Sequence, residues 1–315
     1  MARPFALYIS LRPPLISGPN SRAAMAEDQI VAIPRWRSPF DLLTPSDETM
    51  RTCSGFKRFA LEFLHFGIKQ IRACVFVGLF FFAVFTMPRS GLFGIPRYDL
   101  LLLWAIAIQA WMVWARIETF DELKTVLLFH LAGFALEAFK VSAGIKSWAY
   151  PDFAYTKLFG VPLFSGFMYA AIGSYIIQAW RLFDLRIQHH PPYWMATLTA
   201  LAIYVNFFTH HYIGDYRWYI ACFVLGLYAR AIVLYRPLDR DRRMPLLLSF
   251  ILIGFFIWLA ENFGTFFGVW RYPNQLGAWS TVHIGKWSSW SLLVIMTFTI
   301  VSNLKHVKAR IHIPA

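Results

Sequence analysis

The stretch MPLLLSFILIGFFIWLAEN, residues 244–262, decides how this chain is read. It holds no ionisable group until Glu261 near its end. About 20 apolar residues in a helix cross the ~30 Å hydrocarbon core of a bilayer. Comparable apolar runs lie at about 73–88, 99–115, 123–139, 159–180, 193–213, 217–235 and 287–303. The whole chain is 58% hydrophobic and 15% charged, with a mean hydropathy of +0.49. Soluble domains carry about 25% charged residues. The 31 Phe and 13 Trp suit lipid-facing surface and interfacial belts. The expected fold is therefore all-α: a polytopic transmembrane bundle of about eight helices, with no soluble catalytic domain attached.

Outward from these runs, the net charge of +13 is spread in short basic clusters. Such clusters are topology signals and contacts to anionic lipid head groups, so membrane lipids are the expected partners and nucleic acid is not. The N-terminal flank, RLFDLR (181–186), RPLDRDRR (236–243) and KHVKAR (305–310) are all basic. Eight spans put all four on one side, the cytoplasm, together with both termini. The loop from Arg116 to Glu122 is acidic yet falls on that same side. Residues 56–72 alternate Lys57, Arg58, Lys69 and Arg72 with Phe59, Leu61, Phe63, Leu64 and Ile68, as a basic helix lying on a membrane face does.

Three regions follow: a flexible extension over 1–55, one transmembrane domain over 56–304 and a basic tail over 305–315. The extension carries no apolar run followed by a small-residue cleavage site, so it reads as a flexible arm or as an early start ahead of Met25 or Met50. Cys53, Cys74 and Cys222 form no CxxC pair, which argues against a redox motif or a structural zinc site.

An internal repeat is visible. Glu137 leads to Trp148-Ala-Tyr-Pro151, and Glu261 leads to Trp270-Arg-Tyr-Pro273. Each Glu closes an apolar run, and each W-x-Y-P loop leads into the next one. The third–fourth and seventh–eighth spans thus read as two copies in the same orientation, a parallel four-plus-four duplication with a site between halves.

Ionisable groups inside spans cost roughly 2.5–3.5 kcal/mol each, so each asks for a reason. Glu137, His210, His211, Asp215, Glu261, Asn262, His283 and Lys286 all fall toward the outer half, and His130 lies deeper. Carboxylates and imidazoles in a low-dielectric pocket suit general acid–base work. In that role Glu137 and Glu261 carry the proton chemistry, His210 and His211 assist, Asp215 orients a histidine and Asn262 donates a hydrogen bond. The same residue types also suit a metal held by His130, Glu137, His210, His211 and Glu261, although no HExxH run is present. The structural alternative pairs Glu137 with Lys140 or Lys146, pairs Glu261 with Arg271 or Lys286, and makes Trp148, Tyr150, Trp270 and Tyr272 interfacial anchors. Gln109 and Gln178 read as interhelical hydrogen bonds. No P-loop, dinucleotide fingerprint or nucleophile elbow is present, so no cofactor is assigned.

Five strings carry a family resemblance: FGIKQIRAC (66–74), FHLAGFALEAFK (129–140), GVPLFSGFMYAAIGSYI (160–176), NFFTHHYIGDYRW (206–218) and AENFGTFFGVWRYPNQ (260–275). They resemble the YoaT-like bacterial integral membrane proteins, a family of unknown function, over residues 56–304. That resemblance implies a multi-pass protein of the bacterial plasma membrane. A narrower one, in the acidic positions and the GVPL stretch, is to membrane carotenoid-biosynthesis proteins of the lycopene cyclase and hydratase type. It implies protonation of a polyene within the bilayer, although the tandem carboxylates of those proteins have no counterpart here. The expected function is an intramembrane enzyme acting on a lipid or isoprenoid; the alternatives are a carrier of a cation or small solute and a non-catalytic scaffold.

Overall fold

The computed structural model describes residues 54–311, so the expectations for residues 1–53, the two candidate starts and Cys53 lie outside the described residues. Nine α-helices follow in order among them: α1 (Gly55–Ala73), α2 (Val75–Thr86), α3 (Arg97–Trp114), α4 (Phe120–Val141), α5 (Ser165–Leu182), α6 (Tyr193–Thr209), α7 (Arg217–Tyr228), α8 (Leu246–Phe266) and α9 (Lys286–Ile311). Each apolar run holds one of the helices α2 to α9, and the fold is mostly helical. By length and composition, α8 and the Lys286–His306 part of α9 are apolar enough to cross a membrane. The bent pair α1–α2, with 69° between its arms, makes a third if it is one span. Of the other helices, α6 and α7 are brief, α3 and α4 carry ionisable side chains in their terminal turns, and α5 is diluted by Ser, Gly, Gln178 and Arg181.

Small sheets correct the all-α expectation. Strands β1 (Lys157–Leu158) and β2 (Val161–Pro162) form a hairpin where the run at 159–180 was expected to be helical. Strands β3 (Arg186–Gln188), β4 (Ile232–Tyr235) and β5 (Arg242–Pro245) form an antiparallel sheet in which Val233 faces Ile187 on one side and Met244 on the other. The run at 217–235 therefore ends as a helix at Tyr228, and the run at 193–213 ends at Thr209.

This sheet is built from the basic connections, and its charges are used locally. Asp241 accepts from Arg236 Nε (2.9 Å) and Arg186 Nη2 (2.5 Å), and these hydrogen bonds hold its carboxyl below the ordinary range. The polar face of α1 packs on the same sheet. Arg58 donates to Asp239 (2.6 Å), Glu62 accepts from Arg242 Nε (2.9 Å), and Lys69 Nζ donates to the Arg236 carbonyl (2.7 Å). Phe56, Phe59 and Phe63 of α1 are exposed. The acidic loop before α4 is likewise neutralised at short range. Glu122 caps α4 with Thr119 and pairs with Arg181 (2.5 Å), while buried Glu118 accepts from Gln109 (2.5 Å) and Ser174.

The centre of the bundle is α5, buried along most of its length because Ser165, Gly166, Ala170, Gly173 and Ser174 let neighbouring helices approach closely. A Cβ at Gly133 would stand 2.4 Å from the Tyr169 ring, and one at Gly173 would stand 2.3 Å from Phe129, so α4 and α5 are in backbone-close contact. The pairs α4–α5 and α8–α9 are the most extensively packed, and α9 also lies against α5 and α6.

Candidate functional site

The W-x-Y-P loops do not splay outward. Ala149 N donates to the Arg271 carbonyl and Arg271 N to the Ala149 carbonyl, both at 2.9 Å, so the central residues of the two loops form an antiparallel bridge. The N-terminal turn of α3 anchors both arms. Arg97, buried, donates to the carbonyls of Val84 and Phe267 (both 2.9 Å), closing the C-terminal ends of α2 and α8. Tyr98 OH donates to the Val269 carbonyl (2.6 Å), and Asp99 accepts from the Tyr155 and Thr156 N–H groups (both 2.9 Å).

Pinned in this way, the arms turn their aromatic donors onto the two carboxylates. Glu137, at the C-terminal end of α4, accepts from Trp148 Nε1 (2.7 Å), Tyr150 OH (2.9 Å) and Tyr169 OH (2.7 Å). Glu261, near the C-terminal end of α8, accepts from Tyr272 OH and from Trp290 Nε1 (2.5 Å). In each case one donor stands eleven residues on, in the arm, and another stands on the helix that follows, α5 or α9. Both carboxylates are buried, 3% and 4% exposed. A buried carboxylate is tolerable only when its lone pairs are filled, and indole and phenol groups fill them.

Both carboxylates line one cavity of about 770 Å³, toward the upper part of the ~300–1,000 Å³ seen for small-molecule sites. Lys140, His210, Arg217 and Lys286 line it at the carboxylate end. Its remaining wall is mostly apolar and reaches Phe63, Phe66 and Gly67 of α1, with Phe183 and Tyr235 nearby. The Lys286 ammonium lies over the rings of Tyr272 (4.8 Å) and Trp148 (5.3 Å), the rings that donate to Glu261 and Glu137. It thus sits between the two half-sites through cation–π contacts.

Every one of these residues falls within residues 62–298, which match the family model described as "Protein of unknown function (DUF817)". The chain belongs to this family. The uncharacterized protein YoaT of Bacillus subtilis (strain 168) is similar to this DUF817 chain: 50% identical over 247 residues, 78% of this chain and 93% of that protein. No solved structure matches. Neither finding supports the narrower likeness to carotenoid-biosynthesis proteins.

Of the site residues expected in this DUF817 chain, Glu137, Glu261 and His210 line the cavity, and His211 stands beside it. Lys140 Nζ lies 2.8 Å from His211 Nε2 and 3.3 Å from His210 Nε2. His210 Nδ1 meets the Asn206 carbonyl at 2.8 Å. This places the proton on Nδ1 and leaves Nε2 to accept from the lysine.

Three expectations meet a different geometry. Asp215 orients no histidine; it accepts from Arg217 N (2.9 Å), pairs with the Arg217 guanidinium (2.9 Å) and binds Asn206 (3.3 Å). Asn262 donates to the Trp258 carbonyl (2.8 Å) and accepts from Val282 N (2.9 Å), tying α8 to the loop before α9. His130 packs edge-on to Phe167 with its Nδ1 unpartnered and stands apart from the cavity. Among the described residues no group of three or more His, Cys, Asp and Glu is placed to hold a metal.

The structural alternatives also shift. Lys140 binds imidazoles rather than Glu137, and Arg271 belongs to the arm bridge. Trp148, Tyr150 and Tyr272, read as interfacial anchors, are carboxylate donors instead. Gln109 and Gln178 do form hydrogen bonds between segments, to Glu118 and to the Ile117 carbonyl. Tyr169, Trp290 and the Arg97-Tyr98-Asp99 anchor escaped the sequence reading, and Lys140 entered it only as a counter-ion. The first two were signalled by position, each on the helix that follows an arm.

Proposed function

We propose that this protein is an intramembrane enzyme acting on a lipid or isoprenoid, with Glu137 and Glu261 as its acid–base pair. One observation carries this function: two buried carboxylates, one from each repeat, open on a single and mostly apolar cavity. A carrier of cations or small polar solutes needs a hydrated path, and this lining favours a greasy substrate over such a cargo. The aromatic donors fill the lone pairs of each carboxylate and fix its position at the end of an apolar cavity. A positioned carboxyl group facing the substrate space is the geometry that general acid–base catalysis requires.

The chain is proposed to cross the membrane eight times, as a parallel four-plus-four duplication with both termini in the cytoplasm. Support comes from the outward faces of its helices. Leu103 and Ile106 on α3, Leu127 and Leu131 on α4, Leu198 and Leu201 on α6, Phe223 on α7 and Phe256 on α8 are large, apolar and exposed, as lipid contact demands. The antiparallel bridge between Ala149 and Arg271 supports the duplication, because a two-fold axis between copies pairs equivalent residues in this way.

Lipid and isoprenoid profiles of a deletion strain test the enzyme. The expected result is a species that disappears on deletion, returns with the wild-type gene and fails to return with Glu261→Gln. Identical profiles for the wild-type and Glu261→Gln strains would remove the catalytic role.

A further inference from the structure

We propose that the cavity takes a long single-chain amphiphile with an oxyacid head, carboxylate or phosphate, seated on Lys140 and Lys286, with its chain directed toward α1. This names the substrate class of the site above and rests on the enzyme reading for its setting.

Hydrogen-bond bookkeeping selects the head. The carboxylates are already supplied, Glu137 by three donors and Glu261 by two. The ammonium groups are not. An ammonium carries three N–H donors and no acceptor. Among the described residues Lys286 Nζ lies over the faces of Trp148 and Tyr272 and within electrostatic reach of Glu261, with no hydrogen bond of its own. Lys140, 5% exposed, spends two of its donors on His210 and His211. Both lysines feel the nearby carboxylates electrostatically, Lys286 that of Glu261 above all, but among the described residues neither forms an ion pair within 4 Å, whereas Arg217 beside them is paired with Asp215. Spare donors converging on one end of a cavity call for a ligand rich in acceptor oxygens. A carboxylate or phosphate has enough of them to bridge both lysines, a hydroxyl offers two lone pairs at one point, and an amine is repelled.

The opposite end selects the tail. From the lysines the cavity continues past Trp290, Ile253 and Tyr175 to Phe63, Phe66 and Gly67 of α1. A small solute leaves most of that wall unmatched, whereas an extended hydrocarbon chain covers it. Gly67 provides a handle on this end. A Cβ built there meets nothing within 4 Å, and replacing a helical glycine by a larger residue favours the helix itself. Gly67→Phe is therefore expected to fold while shortening the space for a chain.

The test measures binding of four radiolabelled 18-carbon probes (oleate, oleyl phosphate, oleyl alcohol and oleylamine) to the full-length protein in phosphatidylcholine nanodiscs. At least one of the two oxyacids is expected to bind about tenfold or more tightly than the alcohol and the amine, the scale of one charge-assisted hydrogen bond. Which of the two wins distinguishes a carboxylate from a phosphate head. Lys286→Gln is expected to erase that preference and Lys286→Arg to keep it. Gly67→Phe is expected to lose the 18-carbon oxyacid while still binding its 10-carbon homologue. Equal binding of all four head groups, or a preference untouched by Lys286→Gln, overturns the proposal. The two ideas fail separately: head-group preference with an unchanged Glu261→Gln lipid profile keeps this site and removes catalysis, and the reverse keeps catalysis and removes this substrate.

Discussion

Glu137→Gln is expected to unfold within a few degrees of the wild type, whereas Glu137→Leu is expected to lose about 2–5 kcal/mol. The difference lies in which donors can adapt. The indole of Trp148 is donor-only and must meet an oxygen, and the Tyr150 hydroxyl shares that same carboxylate oxygen. The other oxygen is met by Tyr169 alone, whose hydroxyl can turn and accept from an amide. A glutamine placed with its carbonyl toward Trp148 thus satisfies every partner. Leucine satisfies none, and three hydrogen bonds of the kind measured between transmembrane helices are worth about 0.6–1.7 kcal/mol each. Glu261 obeys the same logic, with Trp290 as the donor-only partner and Tyr272 as the one that turns. Thermal unfolding in nanodiscs checks both residues. The stable Gln variants isolate the lost charge from any lost fold, which makes Glu261→Gln the right allele for the lipid profile.

The second large effect is expected at a residue with no chemistry of its own. Gly133→Leu should cost about 3 kcal/mol or more and should abolish function even where the protein still accumulates. The added carbon would stand 2.4–2.6 Å from three atoms of Tyr169, and the same tyrosine donates to Glu137. Separating α4 from α5 to relieve the clash withdraws that hydroxyl and opens the cavity wall. Gly144→Leu, where an added Cβ meets nothing within 4 Å, is the matched control. Unfolding of both variants alongside the wild type checks the claim, and equal stability of all three would contradict it.

The parts of this molecule visible in its sequence are those where long apolar runs leave few choices. Glu137 and Glu261 stood out because a carboxylate inside an apolar run is costly, and because each is followed by a W-x-Y-P string. The helices showed for the same reason. What stayed hidden is what depends on long-range contact. The indoles and phenols of the arms read as interfacial anchors because Trp and Tyr favour membrane interfaces whatever they touch. Only the bridge at Ala149 and Arg271, 122 residues apart in sequence, turns them inward. The sheet was hidden because β5 is Arg-Arg-Met-Pro and β3 is three residues long, so neither has the alternating pattern that marks a strand. Lys140 and Lys286 looked like counter-ions for the nearest glutamates. The arms supply the hydrogen bonds of those carboxylates, so Lys286 acts on Glu261 through space only and both lysines line the cavity.

Cysteine cross-linking tests most directly whether the two W-x-Y-P arms meet over one shared cavity. Ala149 and Arg271 exchange both backbone hydrogen bonds, a pairing that sets Cα atoms about 5.5 Å apart, within the range a disulfide spans. The measurement is oxidation of an Ala149→Cys/Arg271→Cys protein in native membranes, with Cys53, Cys74 and Cys222 replaced by serine. The expected result is rapid, near-complete intramolecular disulfide formation, seen as loss of maleimide labelling from both positions. Two cysteines that each react with maleimide yet never join to each other would contradict the arrangement of the arms and, with it, the shared site.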